Sequence, residues 1–284
     1  MLTALAVCAN AQTYPAKAIR YLIAFPPGGS NDILARIIGA RLTEITGQTV
    51  IVDNRPGGGG TIGADMVAKA PADGYTLLLS NSAPISLSPF MLNDPPYDPV
   101  KSFTHVSYIG SVANVFVVHP SVPAKNFTEL TAWMKAQPVA VNYGSGGIGS
   151  IGHIVGETMK KDLGLKMEHV GYRGSSPMHL DLFSGTLKLA IDTLTQNVPL
   201  IKDGKLRAIA VTSPTRAAMA PEIPTVLEVG QKKLVAENFL GFSGPAGLPK
   251  NVVDKFNAIA AQVLADPVII KRLEDLGVSG RKMS

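Results

Sequence analysis

Cysteine is almost absent: Cys8 is the only one in 284 residues. That excludes an intrachain disulfide framework and a cysteine-based metal site. No apolar run approaches the roughly 18 residues that a membrane-spanning helix needs. Charge is sparse and balanced, with 26 Lys and Arg against 21 Asp and Glu, a net +5. The basic residues are scattered, without a run and with little aromatic interleaving. This is a mildly basic surface rather than a nucleic-acid footprint, so no nucleic-acid partner is expected. His105, His119, His153, His169 and His179 show neither H-E-x-x-H spacing nor a companion carboxylate cluster, so no metal site is expected. There is no G-x-x-x-x-G-K-[ST] loop and no G-x-S-x-G elbow. No catalytic residue is assigned and no cofactor is expected.

What the chain does have is glycine and proline, 28 and 21 residues respectively, gathered where strands end. The organising stretch is 19–32, IRYLIAFPPGGSND. An apolar strand breaks into Pro26-Pro27-Gly28-Gly29 and meets Ser30-Asn31-Asp32 at the start of an amphipathic helix. The first N–H groups of a helix have no intrahelical partner, and the helix dipole adds partial positive charge there. Strand, glycine loop and helix start together form an anion cradle. A second version lies at 139–153, VAVNYGSGGIGSIGH. The expectation is that the two cradles face each other across a cleft and hold a carboxylate.

The length suggests about two domains. Residues 19–25 read as a buried parallel strand, and Ile33, Leu34, Ile37, Ile38, Leu42 and Ile45 fall at helical spacing up to a stop at Gly47. With a strand at 49–52 this is one βαβ unit. A helix at 61–70 and a strand at 75–79 follow, ending in Ser80-Asn81-Ser82, where ligands of open parallel sheets bind. Residues 84–104 are proline-rich and read as a long ordered loop. A strand at 112–118 crosses into a second domain. There, helix 128–136, strand 139–143, helix 150–162, strand 166–170, a helix from Gly174-Ser175-Ser176, and strands 187–192 and 206–212 repeat the pattern. A helix at 252–264 returns to the first domain. Alternating strands and helices predict an α/β fold with mainly parallel sheets and flanking helices. The predicted division is 14–112 plus 226–284 against 113–225, with two crossings that make a hinge and a cleft able to close. Residues 1–13 read as the remnant of a signal peptide. Leu2 to Val7 is apolar and Ala9-Asn10-Ala11 fits small-x-small cleavage, although a basic leading segment is lacking.

The second loop contains G-x-G-x-x-G at Gly144, Gly146 and Gly149, with Glu168 near the place of a ribose-binding acid. A nucleotide-dependent α/β enzyme is therefore the alternative. Against it, Glu168 sits inside a strand and the loop carries hydroxyls at Ser145 and Ser150. Asp32 reads as a dipole-favoured cap. His153, about one turn into the second helix, is either a hydrogen-bonded helix-start residue or a pocket group. Asp192 ends the strand LKLAID and either accepts from a ligand or caps the next helix. Arg173 is the one nearby cation. Hydrogen-bond donors without a strong base or nucleophile describe recognition rather than chemistry.

FPPGGSND, DNRPGGGGTIGADMVAKAPADGYTLLLSNSA, NYGSGGIGSIGH, VGYRGSSPMHLDLFSG and DGKLRAIAVTSPTRAAMAPEIPTVLE resemble the tripartite tricarboxylate transporter substrate-binding proteins, the Bug proteins, from about Tyr14 to Gly277. The resemblance implies a periplasmic binding protein-like, two-domain "Venus flytrap" that hands a small carboxylate to membrane permease subunits. It implies ligand contacts from Phe25, Pro26, Pro27, Gly28, Gly29, Ser30 and Asn31, and from Ser145, Gly146, Gly147 and Ser150, with Asp192 reading the ligand's second polar group. Ser80, Ser82, His153 and Arg173 complete the candidate site. A monomer is expected, and a ligand sensor for a signalling kinase is the remaining alternative for the output. The chain departs from the family pattern in lacking a full signal peptide and in stopping at Ser284, where the family usually continues with another helix.

Overall fold

The computed structural model describes residues 14–280; the signal-peptide expectation and Cys8 lie outside the described residues. Strands β1 (Ile19–Ile23), β2 (Val50–Asn54) and β3 (Thr76–Asn81) with helices α1 (Ser30–Thr46) and α2 (Thr61–Ala68) form the first parallel unit. Strands β5 (Val141–Ser145), β6 (Met167–Gly171) and β7 (Leu189–Thr193) with α4 (Ile151–Leu163) and α5 (Ser175–Ser184) form the second. Strands β4 (Phe103–Val118) and β9 (Glu237–Pro245) run antiparallel between them, so the sheet order is β2-β1-β3-β9-β4-β7-β5-β6. Strands β8 (Arg207–Val211) and β10 (Val278–Ser279) add to β4. The architecture is a mixed α/β sheet: parallel βαβ units on the flanks, as expected, and antiparallel strands in the middle.

The 16-residue β4 belongs to both halves. Its first part pairs with β9, from Phe103 opposite Pro245 to Ala113 opposite Glu237. Its second part pairs with β7 from Asn114 opposite Thr193. Apolar clusters cover both faces of each half: Tyr21, Ile38 and Phe256 against Leu22, Ala64 and Leu78 in the first, Phe116, Tyr143 and Met159 against Val115, Met178 and Leu182 in the second. At the crossings Thr212 joins both segments: its N–H donates to the Asn114 carbonyl (2.8 Å) and its carbonyl accepts from the Ala236 N–H (2.9 Å). The fully buried side chain of Thr212 donates to the carbonyls of Asn114 (3.2 Å) and Ala236 (2.6 Å), and the Asn114 N–H donates back to its Oγ1 at 2.9 Å.

Two expectations change. The crossing strand begins at Phe103, not near 112, because the alternating stretch FTHVSYIGS is only half apolar and pairs along β9. The proline-rich segment is not wholly loop: Ala83–Leu87 forms a π-helical turn and Ser88–Met91 a 3-10 turn. Strand β9 itself escaped the sequence reading. ENFLGFSGP is poor in β-formers, and it is held by partners on both sides, β3 and β4. The remaining helices are α3 (Phe127–Lys135), α6 (Leu194–Lys202), α7 (Lys250–Leu264) and α8 (Pro267–Asp275).

Two local devices place the glycine loops. In the first, Asp32 is buried in the opening turn of α1 and its Oδ2 accepts from the Gly28 N–H (3.0 Å) and from Arg36 Nε (3.0 Å). Burial alone would raise its pKa, but the Arg36 guanidinium and the Gly28 N–H outweigh it and hold the carboxyl below its ordinary value. In the second, α4 lies so close to the sheet that a Cβ on Gly152 would collide with the Ile191 carbonyl oxygen of β7.

Gly152→Ala is expected to cost about 1–3 kcal/mol, since a backbone carbonyl cannot give way as a side chain can; a melting temperature lowered by several degrees is the readout. Asp32→Asn is expected to destabilise by about 1 kcal/mol at neutral pH, the usual scale of a helix cap. Because the folded pKa lies below the unfolded value of about 3.9, that difference is full above about pH 5. It disappears as pH falls through the folded pKa. Chemical denaturation of both proteins from pH 7 to pH 3 measures it.

Candidate functional site

The two halves enclose a cleft at the carboxyl ends of β1, β3, β5 and β7. Four helices begin on its wall: α1 with Gly29, Ser30 and Asn31, α4 with Ser150 and Ile151, α5 with Gly174, Ser175 and Ser176, and α6 with Thr193 and Gln196. Phe25, Pro26, Gly146, Asn81, Ala83, Asn114, Asn238 and Asp192 complete it. The wall contains no lysine, arginine or histidine, and Asp192 is its one acid. Each helix start carries roughly half a positive charge on N–H groups with no intrahelical partner. The positive potential of the cleft is therefore built from the backbone.

Asp192 is buried and already engaged: Oδ1 accepts from Ser175 Oγ (2.7 Å), Oδ2 accepts from Asn197 Nδ2 (2.9 Å), and His179 Nε2 lies 3.3 Å from Oδ2. It thereby fixes the first residue of α5. In contrast, Asn81 Oδ1, Asn114 Oδ1 and Thr193 Oγ1 are buried and have no hydrogen-bond partner among the described residues. Asn81 is 1% and Asn114 4% exposed. A buried polar atom left unpaired costs about 1–3 kcal/mol; the two amide oxygens can only accept, so it is a hydroxyl or N–H of a ligand or a water, not a carboxylate, that completes them. The cavity measures about 70 Å³. At about 10–15 Å³ per enclosed water centre, it suits a small metabolite.

Behind the second loop lies a network that sets its shape. Ser145 is fully buried; its Oγ sits 2.7 Å from His169 Nε2 and accepts from the Gly147 N–H (3.3 Å) and from Ser150 Oγ (3.0 Å). The Gly149 N–H donates to His153 Nδ1 (3.2 Å), and Ser150 Oγ caps α4 by accepting from the His153 N–H (3.2 Å). The His153 and His169 rings stack with centroids 3.9 Å apart. Burial, then the neighbouring His153, pushes the His169 pKa down to about 4, and burial lowers that of His153. Both rings are neutral at neutral pH, so the loop rests on uncharged rings. The tyrosine hydroxyl of Tyr143 donates to Glu157 Oε1 at 2.8 Å beside them.

Of the candidate residues, Phe25, Pro26, Gly29, Ser30, Asn31, Gly146, Ser150 and Asp192 line the cleft together. Pro27 and Gly28 are exposed outside it, although the Gly28 carbonyl accepts from Gln196 Nε2 (3.2 Å) across the gap. Ser145 and His153 lie behind the loop. Gly147 and Arg173 border an adjoining outer chamber. Ser80 and Ser82 face away from the cavity: Ser80 Oγ accepts from Ser243 Oγ (2.9 Å) and Ser82 Oγ from the Phe239 N–H (3.0 Å). Strand alternation turns the residue between them, Asn81, into the cleft instead. The reading also passed over Asn114, whose signal was an amide inside the apolar run VANVFVV, and Ser175-Ser176, which follow Gly174 as Ser30 follows Gly29. Thr193, Gln196 and Asn238 carry no local signal. Among the described residues no group of His, Cys, Asp and Glu could hold a metal, and no helix is long and apolar enough to cross a membrane.

Residues 34–284 match the tripartite tricarboxylate transporter family receptor, TctC. Protein BugT of Bordetella pertussis is 33% identical over 271 residues, covering 95% of this chain and 83% of that protein. The solved structure of a periplasmic transporter superposes with a TM-score of 0.90 at 39% identity, covering 94% of this chain and 90% of the other. That of Rhodopseudomonas palustris Rpa4515 with adipate does so with a TM-score of 0.90 at 33% identity, covering 94% and 89%. With its cleft, its paired glycine loops and these relatives, the chain belongs to the TctC family of periplasmic solute-binding receptors.

Proposed function

We propose that this protein captures a small carboxylate in the cleft and delivers it to the membrane permease of a tripartite tricarboxylate-type transporter, without catalysing a reaction. The observation that carries the reading is the convergence of four helix starts on a cavity whose wall has no cationic side chain. Charge-assisted hydrogen bonds contribute about 1.5–3 kcal/mol each, so a few of them account for the roughly −8 kcal/mol of micromolar binding. Backbone donors are pre-positioned and lose no side-chain entropy on binding. No long cation lines the inner cavity, which favours later release of the carboxylate held there.

The two half-sheets act as lobes, 14–112 with the C-terminal part and 113–225, hinged where β4 and the chain entering β9 pass Thr212. Ser88 Oγ to the Ile148 carbonyl (3.3 Å) and Gln196 Nε2 to the Gly28 carbonyl (3.2 Å) join the lobes across the cleft. A ligand touching both lobes shifts the balance toward this closed arrangement. The family and the leading segment support a periplasmic location, and a receptor that must open and close works as a monomer.

Thermal shift with a carboxylate panel, NAD and ATP tests the reading, because a ligand raises the melting point by stabilising the folded state. A rise with a carboxylate and none with nucleotides is expected; a rise with NAD alone would overturn it in favour of a nucleotide enzyme. Asn114→Leu separates binding from folding. It replaces an unpaired buried amide by an apolar group of similar size, so the free protein keeps or gains thermal stability. The group able to donate to a carboxylate is Asn114 Nδ2, since Oδ1 only accepts, and carboxylate affinity is expected to fall at least about tenfold by calorimetry, the scale of one lost hydrogen bond. Unchanged affinity would remove Asn114 from the site.

A further inference from the structure

An outer chamber of about 210 Å³ adjoins the inner cavity, and both are bounded by Phe25, Pro26 and Gly146. The inner cavity lies over the middle of the sheet. The outer one lies toward its edges, above the ends of β1 and β2 on one side and of β5 and β6 on the other. Its walls are apolar: Leu92 and the glycine run 57–60 from the first lobe, Ile148 and Tyr172 from the second. It holds a single charged residue, Arg173. Arg173 is exposed and makes no hydrogen bond or ion pair with any described residue.

The surroundings leave that cation unneutralised. Arg55, near the same glycine run, is paired with Asp53 at 2.9 Å, and the acid beside Tyr172, Asp181, accepts from the Tyr172 hydroxyl at 2.6 Å. The chamber is also complete only with the lobes together. Ser88 Oγ donates to the Gly59 carbonyl (2.9 Å) and reaches the Ile148 carbonyl (3.3 Å) on its wall. Gly59 has φ +65°, and a Cβ there would collide with the Ile148 carbonyl oxygen. A glycine at this position thus allows the two lobes to meet over the chamber.

We propose that Arg173 and this chamber form a second anion subsite that selects ligands by length. The inference rests on the carboxylate reading above. One carboxylate sits among the helix starts of the inner cavity. An apolar spacer passes Pro26 and Gly146 and lies against Ile148, Leu92 and Tyr172. A distal carboxylate meets the Arg173 guanidinium, whose planar fork suits it. The ligand class is a linear dicarboxylate whose spacer is too long for the inner cavity alone. Four-carbon dicarboxylates fill the inner cavity and leave Arg173 untouched; monocarboxylates lack the distal charge.

Calorimetric titration of wild type and Arg173→Gln with succinate, adipate, suberate and hexanoate tests this. Arg173 is exposed, so the substitution is not expected to disturb folding, and circular dichroism and the melting point check it. Expected is binding of adipate or suberate at least tenfold tighter than succinate and hexanoate. Arg173→Gln should bring the long dicarboxylate to within about threefold of hexanoate and leave hexanoate unchanged. Tightest binding of succinate overturns the subsite, as does equal loss, or no loss, for adipate and hexanoate in the variant. Tightest binding of an aromatic monocarboxylate in the wider panel also overturns it, as an apolar pocket without an anion role. If none of the four binds but another carboxylate raises the melting point, the subsite fails and the receptor reading stands. If no carboxylate does so, both fail.

Discussion

The constraint on which the rest depends is that the cleft must be positive without cationic side chains. Four helix dipoles end there, and the peptide N–H groups of their first turns, with the hydroxyl and amide side chains beside them, are the donors that can satisfy an anion from several sides at once. Everything near them serves to aim or to hold those turns. Asp32 ties the first glycine loop to α1 through the Gly28 N–H. Asp192 uses its carboxylate on Ser175 and Asn197, at the starts of α5 and α6, rather than presenting it bare to the cleft. The buried, neutral pair His153 and His169 supports the second loop without adding charge. The electrostatics of the site are thus set largely by backbone geometry.

That geometry follows from the sheet. Parallel βαβ units put every βα loop at the carboxyl edge of their strands, and the two units face each other because β4 and β9 pass from one to the other side by side. Thr212 holds the passing segments together through both backbones, a narrow connection compared with the broad cores on either side. In the proposed function, lobes joined by such a connection open as bodies, and an anion would close them by giving the helix starts of both a shared partner, a differential interaction of the kind a ligand-driven shift requires.

Much of this was legible in the chain. The two glycine loops could be found because strand, Pro-Gly break and hydroxyl-bearing helix start are local signals, and Phe25, Pro26, Gly29, Ser30, Asn31, Gly146 and Ser150 do line the cavity. What escaped was set by register and by tertiary pairing. Ser80, Asn81 and Ser82 look alike in a row; only the pairing of β3 with β9 decides that Asn81 faces the cleft. Strand β9 has little β-propensity of its own and exists because strands flank it. Ser145 has the right chemistry in the right loop, but it ends β5 on the face that meets His169, so it shapes the loop from behind. Arg173 was legible as a nearby cation, but that it borders the outer chamber rather than the inner cavity depends on how the ends of β5 and β6 meet the glycine run of the other half.

The most direct test of a cleft made positive by peptide groups is an amide-resolved one. Adding adipate to ¹⁵N-labelled protein and following the backbone N–H resonances reads those groups themselves. The account predicts the largest saturable shifts at Ser30 and Asn31, Ile151, Ser175 and Ser176, and Gln196, in both lobes and with one common dissociation constant. Shifts confined to one lobe, or centred on surface lysines and arginines while these amides stay still, would contradict it.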